Sequence, residues 1–409
     1  MPKGGLGRGN LSETDVTGDW IIQLRGGVID SPALQASVAA YAASHLAREN
    51  RDSALLQRSR ELYTRGLEHL RYALARQSTR LNNETLATCL ALSMYELSEA
   101  PDAAPDDMSK QYPATDATKP GSAYSSHLLG AMALVELRGP DVNRSPLAHS
   151  LFLCVRRYAL LGTLINRRDT FLSKKPWKDR PWAVYRKNKL DTCLDALFDM
   201  PAVMRQWADV AGEENEVLVE TKCNTIIARC KQLHVTLRDW FRDFESSFSG
   251  PLYRDQFCKL ESSFDRDDCG KVFPISFHYS CLSVAYLLIT YWSGAMIVHN
   301  LAMGAHYKLA FLSSNSSSRT ASCCNAAERH SQLSMMMVRN MCQSTEYFMG
   351  QDTGRLGLTM ATGVLQGCLA TMRGGPEPWE REQGWAMEMM QRIGVQLNLP
   401  KREMFTALS

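Results

Sequence analysis

The stretch LLQRSRELYTRGLEHLRYAL, residues 55–74, sets Leu55, Leu56, Leu62, Tyr63, Leu67, Leu70 and Leu74 at a sustained spacing of three and four. Side chains at that spacing share one face of an α-helix, so the pattern predicts a helix of about five turns. Upstream, Ser31-Pro32 supplies a cap and a first-turn proline for a segment carrying Leu34, Val38, Tyr41 and Leu46 on one face. Downstream, Asn83 is placed to cap a helix beginning at Glu84, with Leu86, Leu90, Met94 and Leu97 turned inward. Further helices are predicted over residues 125–138, 147–166, 214–244, 274–312, 326–349 and 379–397. Alternating strand-like runs and Asn-Gly or Asp-Gly hairpin turns are nearly absent. The expected fold is therefore all-α, a large helical domain of pairwise-packed antiparallel helices. Residues 1–30 read as a flexible N-terminal arm and 31–409 as one helical domain. Loops are expected near 101–123, 246–274 and 313–322, where Pro, Asp, Gly and Ser replace the apolar period. No fixed-length repeat marks a solenoid.

Composition narrows the class. In 409 residues, 45% are hydrophobic and 22% charged, which is ordinary for a folded globular chain. The net charge of +3, from 46 basic and 43 acidic residues, gives no overall attraction to a polyanion, so any nucleic-acid footprint has to be local. The Gly-rich, basic residues Met1–Asn10 precede no apolar run, and a secretory signal is not expected. Twelve cysteines, most of them scattered singly within apolar helical patterns, then read as small buried hydrophobes of a reducing compartment. Between Lys271 and Lys308 there is no charged residue, and Cys281–Val298 approaches a membrane-spanning length. Polar residues recur through it and no basic cluster flanks it, so a helix buried inside protein is expected rather than a membrane span.

The middle of the chain carries the most distinctive run. Tyr124-Ser125-Ser126-His127-Leu128-Leu129-Gly130-Ala131 leads through Leu134-Val135-Glu136-Leu137 to Arg138-Gly139-Pro140. Ser145-Pro146-Leu147-Ala148, Leu151-Phe152, Arg156-Arg157, Arg168-Asp169-Thr170-Phe171-Leu172 and Trp177 follow in order. Gly130 and Ala131 read as a small-residue notch for a neighbouring helix. Gly139-Pro140 reads as a helix stop, with Arg138 against the negative end of the helix dipole. Taken with the Leu62–Leu74 and Thr85–Glu96 helices before it, this succession resembles the fungal-specific transcription factor domain found C-terminal to zinc binuclear-cluster motifs. The resemblance is clear over Ser31–Arg180 and looser beyond, and Tyr124 stands where that family commonly has Trp. It implies a metal-free helical effector domain in a nuclear transcription regulator, with Tyr124, His127, Gly130, Ala131, Arg138, Gly139 and Pro140 in architectural roles. It also suggests control of pathway genes, including those of specialised metabolism.

A zinc cluster needs six cysteines with C-x-x-C pairs, and no C-x-x-C occurs here. DNA is therefore expected to be reached only indirectly, through other transcription regulators or co-regulators. A small-molecule effector and a homo- or heterodimer are the further partners the resemblance admits. The alternative is a non-transcriptional helical scaffold or dimerisation protein.

From Arg156 to Lys189 the chain is strongly basic, opposed by only Asp169 and Asp179. Within it Lys174-Lys175 and Arg186-Lys187 with Lys189 have the spacing of a bipartite nuclear-import signal, while a solvated or acid-paired face explains the same charges. The interleaved Trp177, Trp182 and Tyr185 have the chemistry to stack on bases, but aromatic anchoring of a loop on the core is the commoner use. Enzyme motifs are missing: G-x-S-x-G, G-x-x-x-x-G-K and H-E-x-x-H do not occur. Asp265-Arg266-Asp267-Asp268 spells an acidic motif inside a Ser/Gly/Asp loop and reads as an exposed turn. Met335-Met336-Met337 reads as core filling. The nine histidines are dispersed and form no metal-ligand motif. No enzyme, metal or cofactor is expected.

Overall fold

Ser31 begins the fold as its sequence suggests: its hydroxyl accepts the Leu34 N–H at 3.3 Å, and Pro32 occupies the first turn of helix α2, Pro32–Asn50. The structure is a computed structural model and describes residues 20–24, 30–99, 123–142, 145–266, 268, 270–313, 317–374 and 379–397. Helices dominate it, as the sequence predicts. Contacts cluster in two compact units, one within residues 20–187 and the other within 188–397, where the sequence reading drew a single domain.

In the first unit, α1 (Trp20–Leu24) packs on α6 (Pro146–Asn166), and Trp20 is fully buried. Part of the expected flexible arm is thus a docked helix; residues 1–19, 25–29 and 100–122 lie outside the described residues, and with the last of these nearly all of the stretch near 101–123 for which the sequence suggests a loop. Arg51 closes α2 in the left-handed region (φ 54°), and Asp52 then caps α3 (Ser53–Ala75) by accepting the Ala54 and Leu55 N–H groups. The tight connection lays α2 and α3 side by side. α4 (Asn83–Glu99) packs on α2 and on α5 (Ala123–Arg138), and α5 on α6.

The faces differ from expectation. α2 buries Leu34 with Ser37, Ala40, Ser44 and Ala47, while Leu46 is exposed. A stripe of small residues lets α3 approach closely: a Cβ on Gly66 would lie 2.4 Å from Ser37 Oγ. The larger apolar residues of α2 therefore flank the contact instead of filling it. The small-residue notch is here, at Ser37 and Gly66. Beside Gly130 there is open space, whereas Ala131 is fully buried.

The second unit is built around α11, Leu282–Leu312, which is covered by α10 (Glu216–Ser246), α12 (Ser317–Gln343) and α14 (Gly354–Gly374). The charge-free stretch is mostly buried, as a helix packed inside protein is. Short helices α8 (Lys189–Leu197) and α9 (Met200–Ala208) pack on α10 and α11. α13 (Thr345–Phe348) and α15 (Glu380–Gln396) pack on α14. The remaining short helix, α7 (Lys175–Asp179), belongs to the first unit.

Two loop expectations are corrected. Within 246–274 a strand forms: β1 (Tyr253–Phe257) pairs antiparallel with β2 (Ile275–Tyr279), Tyr253 facing Tyr279 and Phe257 facing Ile275. YRDQF lacks period-two apolarity; the pair is held by long-range packing, with Tyr253 and Phe277 at 4.2 Å and both rings 6.0 Å from Trp292 of α11. The serine-rich 313–322 link is helical from Ser317, since a turn of polar residues costs little once the rest of α12 is docked. Helix α14 escaped sequence reading because glycines interrupt it, although Leu358, Ala361, Leu365, Cys368 and Met372 form a buried stripe.

Candidate functional site

The family-like run forms α5 and its exit turn. Tyr124, Leu128, Ala131, Leu134 and Val135 recur every three or four residues and are buried. His127, on the same helix, is half-buried with Nε2 3.3 Å from the Tyr63 hydroxyl of α3, and burial pulls its pKa down. Tyr63 donates to the Glu96 carboxylate of α4 and stacks on Tyr95 at 4.5 Å. Burial first, and the bond to Glu96 second, push the Tyr63 hydroxyl far above its ordinary pKa. Glu96, Tyr63 and His127 thus tie three helices together in one polar line that the sequence did not reveal.

Arg138 donates to the side-chain oxygen of Asn83, linking the end of α5 to the start of α4. Asn83, expected as a cap, is instead the first helical residue. Burial lowers the Arg138 pKa, with Glu84 opposing. Gly139 takes φ 81°, and its N–H reaches the carbonyls of Val135 and Glu136 at 3.2 and 3.1 Å, which ends the helix. Pro140 opens a 3-10 turn, and Asp141 in that turn pairs with Arg180 at 3.0 Å.

The aromatic residues of the basic stretch face inward onto α6. Trp177 is buried 4.5 Å from Phe171 and 6.1 Å from Phe152. Trp182 meets His149 edge-on at 5.1 Å, with the Arg156 guanidinium 5.7 Å and the Lys187 ammonium 5.5 Å from its ring. Tyr185 stacks on His149 at 4.1 Å. These rings anchor the segment and are not presented for base stacking. Lys174 and Arg186 are exposed; Lys175 is exposed and pairs with Asp179 at 2.6 Å, which raises its pKa. Lys189 lies in the second unit and pairs with Asp243 of α10.

A cavity of about 380 Å³ opens in the first unit between the start of α2, the end of α3 and the start of α4. Asp30, His69, Tyr72, Arg76 and Glu84 give it a polar wall carrying both signs of charge. Its volume is at the small end for ligand pockets. In the second unit Asp265 accepts the Ser262 and Val272 N–H groups at 2.9 Å and so shapes its own loop. Asp268 is exposed, and Asp267 lies outside the described residues. Met335, Met337 and Met341 are buried, while Met336 is exposed. Cys89, Cys154 and Cys230 are buried, and burial pushes each thiol up to about 12. Such thiols are inert at neutral pH.

Tertiary packing gathers four of the dispersed histidines, His234 of α10, His299 and His306 of α11 and His330 of α12. Ring centroids are 5.0 Å apart for His234–His299, 5.2 Å for His299–His330 and 5.6 Å for His306–His330. No group of three metal-ligating side chains converges to hold an ion among the described residues.

Residues 27–199 match the model of the fungal specific transcription factor domain, nearly the extent of the first compact unit together with α8. An uncharacterized protein of Emericella nidulans is 24% identical over 169 residues, which cover 41% of this chain and 32% of that protein. The alignment thus spans about a third of the relative's length. No solved structure matches the chain.

Proposed function

We propose that this chain, which carries a fungal specific transcription factor domain over residues 27–199, is a transcriptional regulator acting in the nucleus through protein partners. One observation carries the reading: the matched segment, residues 27–199, takes in most of the first compact helical unit and continues into α8 of the second. Lys174, Lys175 and Arg186 are exposed, where an import receptor would read them, and Lys187 is half-buried beside the Trp182 ring. DNA would be reached through a partner regulator, and the target genes would belong to a metabolic pathway. The polar cavity at Asp30, His69 and Arg76 offers a place for a small effector that biases one helical packing over another.

The test is a deletion strain compared with its parent by transcript profiling, with chromatin immunoprecipitation of the tagged full chain. A regulator changes a discrete gene set and is recovered on the corresponding promoters. Unchanged transcripts with cytosolic protein would instead identify a helical scaffold. Replacing Lys174, Lys175, Arg186 and Lys187 by Ala should move the tagged protein out of the nucleus; unaltered nuclear accumulation would remove these residues from the import reading.

A further inference from the structure

The histidine cluster of the second unit joins three helices at a point where one of them is weakly held. In α12 the residues buried from the N-terminal side begin at Ala327 and continue through Ser331, Ser334, Met335, Met337, Val338, Met341 and Cys342. The half before His330 therefore has little apolar anchorage. It is fixed by Ala327, by an exposed ion pair of Arg319 with Glu220 on α10, by the Thr320 hydroxyl on the Ser313 carbonyl, and by His330 itself. The second half is fastened independently, for Ser334 donates to Asn300 at 2.6 Å and Asn300 donates to Thr371 of α14 at 3.1 Å.

His330 Nδ1 lies 3.0 Å from His299 Nδ1. At that distance one nitrogen must carry the proton and the other must offer a lone pair, so the contact fails when both rings are cations. Among the described residues, the charged side chains that act on the cluster are positive: Arg238 from α10 on His234, and Arg329 from α12 on His306 and His330. Glu328, beside Arg329, accepts from Gln332 at 3.2 Å and acts on Tyr307. Against α11 also lie Leu197 of α8 and Trp207 of α9, beside Gly294 and Gly304, and Thr371 of α14 on Asn300. His306 Nδ1 is buried with no hydrogen-bond partner, and its ring stacks on His330 at an interplanar angle of 19°.

We propose that His234, His299, His306 and His330 form an acid-sensitive latch whose protonation releases the N-terminal half of α12, residues 317–330, from α10 and α11. Burial first, and neighbouring imidazoles second, hold His299 down at about 3 and His330 at about 4. The closed state therefore binds fewer protons than an open state in which the rings regain water and rise toward the ordinary value near 6.5. Closure is fully favoured above pH 6.5 and is lost as the pH falls from 6.5 toward the closed-state values. Each histidine then contributes about tenfold to the opening equilibrium between pH 7.5 and 5.5.

Hydrogen exchange of the full chain, corrected for the intrinsic pH dependence of amide exchange, reads this directly. Amides of residues 317–330 should lose protection at pH 5.5 by on the order of tenfold per histidine, while residues 335–343 keep theirs. His299→Gln with His330→Gln should flatten the pH dependence of 317–330. Equal protection at both pH values, or a loss spread evenly over α12 and α14, overturns the latch. Should the double variant fail to fold at pH 7.5, the imidazole nitrogen shifts of the unaltered chain decide. Rings that stay neutral while residues 317–330 are protected and gain a proton as that protection is lost support the proposal, and ordinary titration near pH 6.5 with 317–330 still protected defeats it.

Discussion

The two compact units solve helix packing in different ways. Residues 20–187 bring α2 and α3 together through serine, alanine and glycine, with polar ties such as Tyr63–Glu96 and Arg138–Asn83 across the bundle. Residues 188–397 pack large side chains onto one apolar helix, α11, whose Trp292 meets Tyr253 and Phe277 and whose Tyr291 meets Trp240 of α10. A small-residue contact gains from close backbone approach and tolerates no added volume, whereas an aromatic core gains from buried area and tolerates no removed volume. The matched segment carries the small-residue contact between α2 and α3 together with an aromatic cluster of Phe152, Phe171 and Trp177.

That contrast is open to direct tests. Trp292→Ala removes a buried ring that touches Tyr253 and Phe277, and should cost about 4 kcal/mol. Urea denaturation with hydrogen exchange should place the loss in 188–397; a cost under about 1 kcal/mol would deny the aromatic core its role. Gly66→Val should cost about 2–3 kcal/mol by driving α2 from α3, while Gly130→Ala, facing open space, should be neutral or slightly stabilising through helix propensity. Equal effects at the two glycines would erase the distinction between notch and open face.

Tyr63→Phe leaves the ring stacked on Tyr95 but removes the donor to Glu96. A loss of about 1–2 kcal/mol is expected in thermal unfolding, together with a His127 imidazole resonance that shifts. An unchanged resonance would disconnect the line of three residues. The smallest effect is at a cap: Asn215 Oδ1 accepts the Val217 and Leu218 N–H groups at the start of α10, so Asn215→Ala should cost about 1 kcal/mol and fray that end first. Uniform exchange along α10 would place the effect elsewhere.

Much of the secondary structure was legible from the chain alone. The leucine spacing of α3, the Ser31-Pro32 start and the Gly139-Pro140 stop each act over a few residues and appear where the sequence put them. Reading which face is buried was less successful. Leu46 looks like core but is exposed, because Ser37, Ala40 and Ser44 form the tighter contact. The sequence offered a signal for α14 in its buried stripe, but Gly357, Gly363 and Gly367 masked it. The hairpin offered almost none, since Tyr253 finds its partners on β2 and α11. Of the candidate site, the helix stop was readable, whereas the Asn83 partner of Arg138 was not, because 55 residues separate them.

Periodicity, caps and the order of motifs, all properties of neighbouring residues, gave the helical class and pointed to the family whose model matches residues 27–199. Tertiary structure alone decided which faces close, where small residues admit a neighbour, and how four histidines spread over three helices come to share one buried point. The physical reason is that local propensities depend on a few consecutive residues, while contact between helices depends on the volumes and charges of side chains brought together from distant parts of the chain.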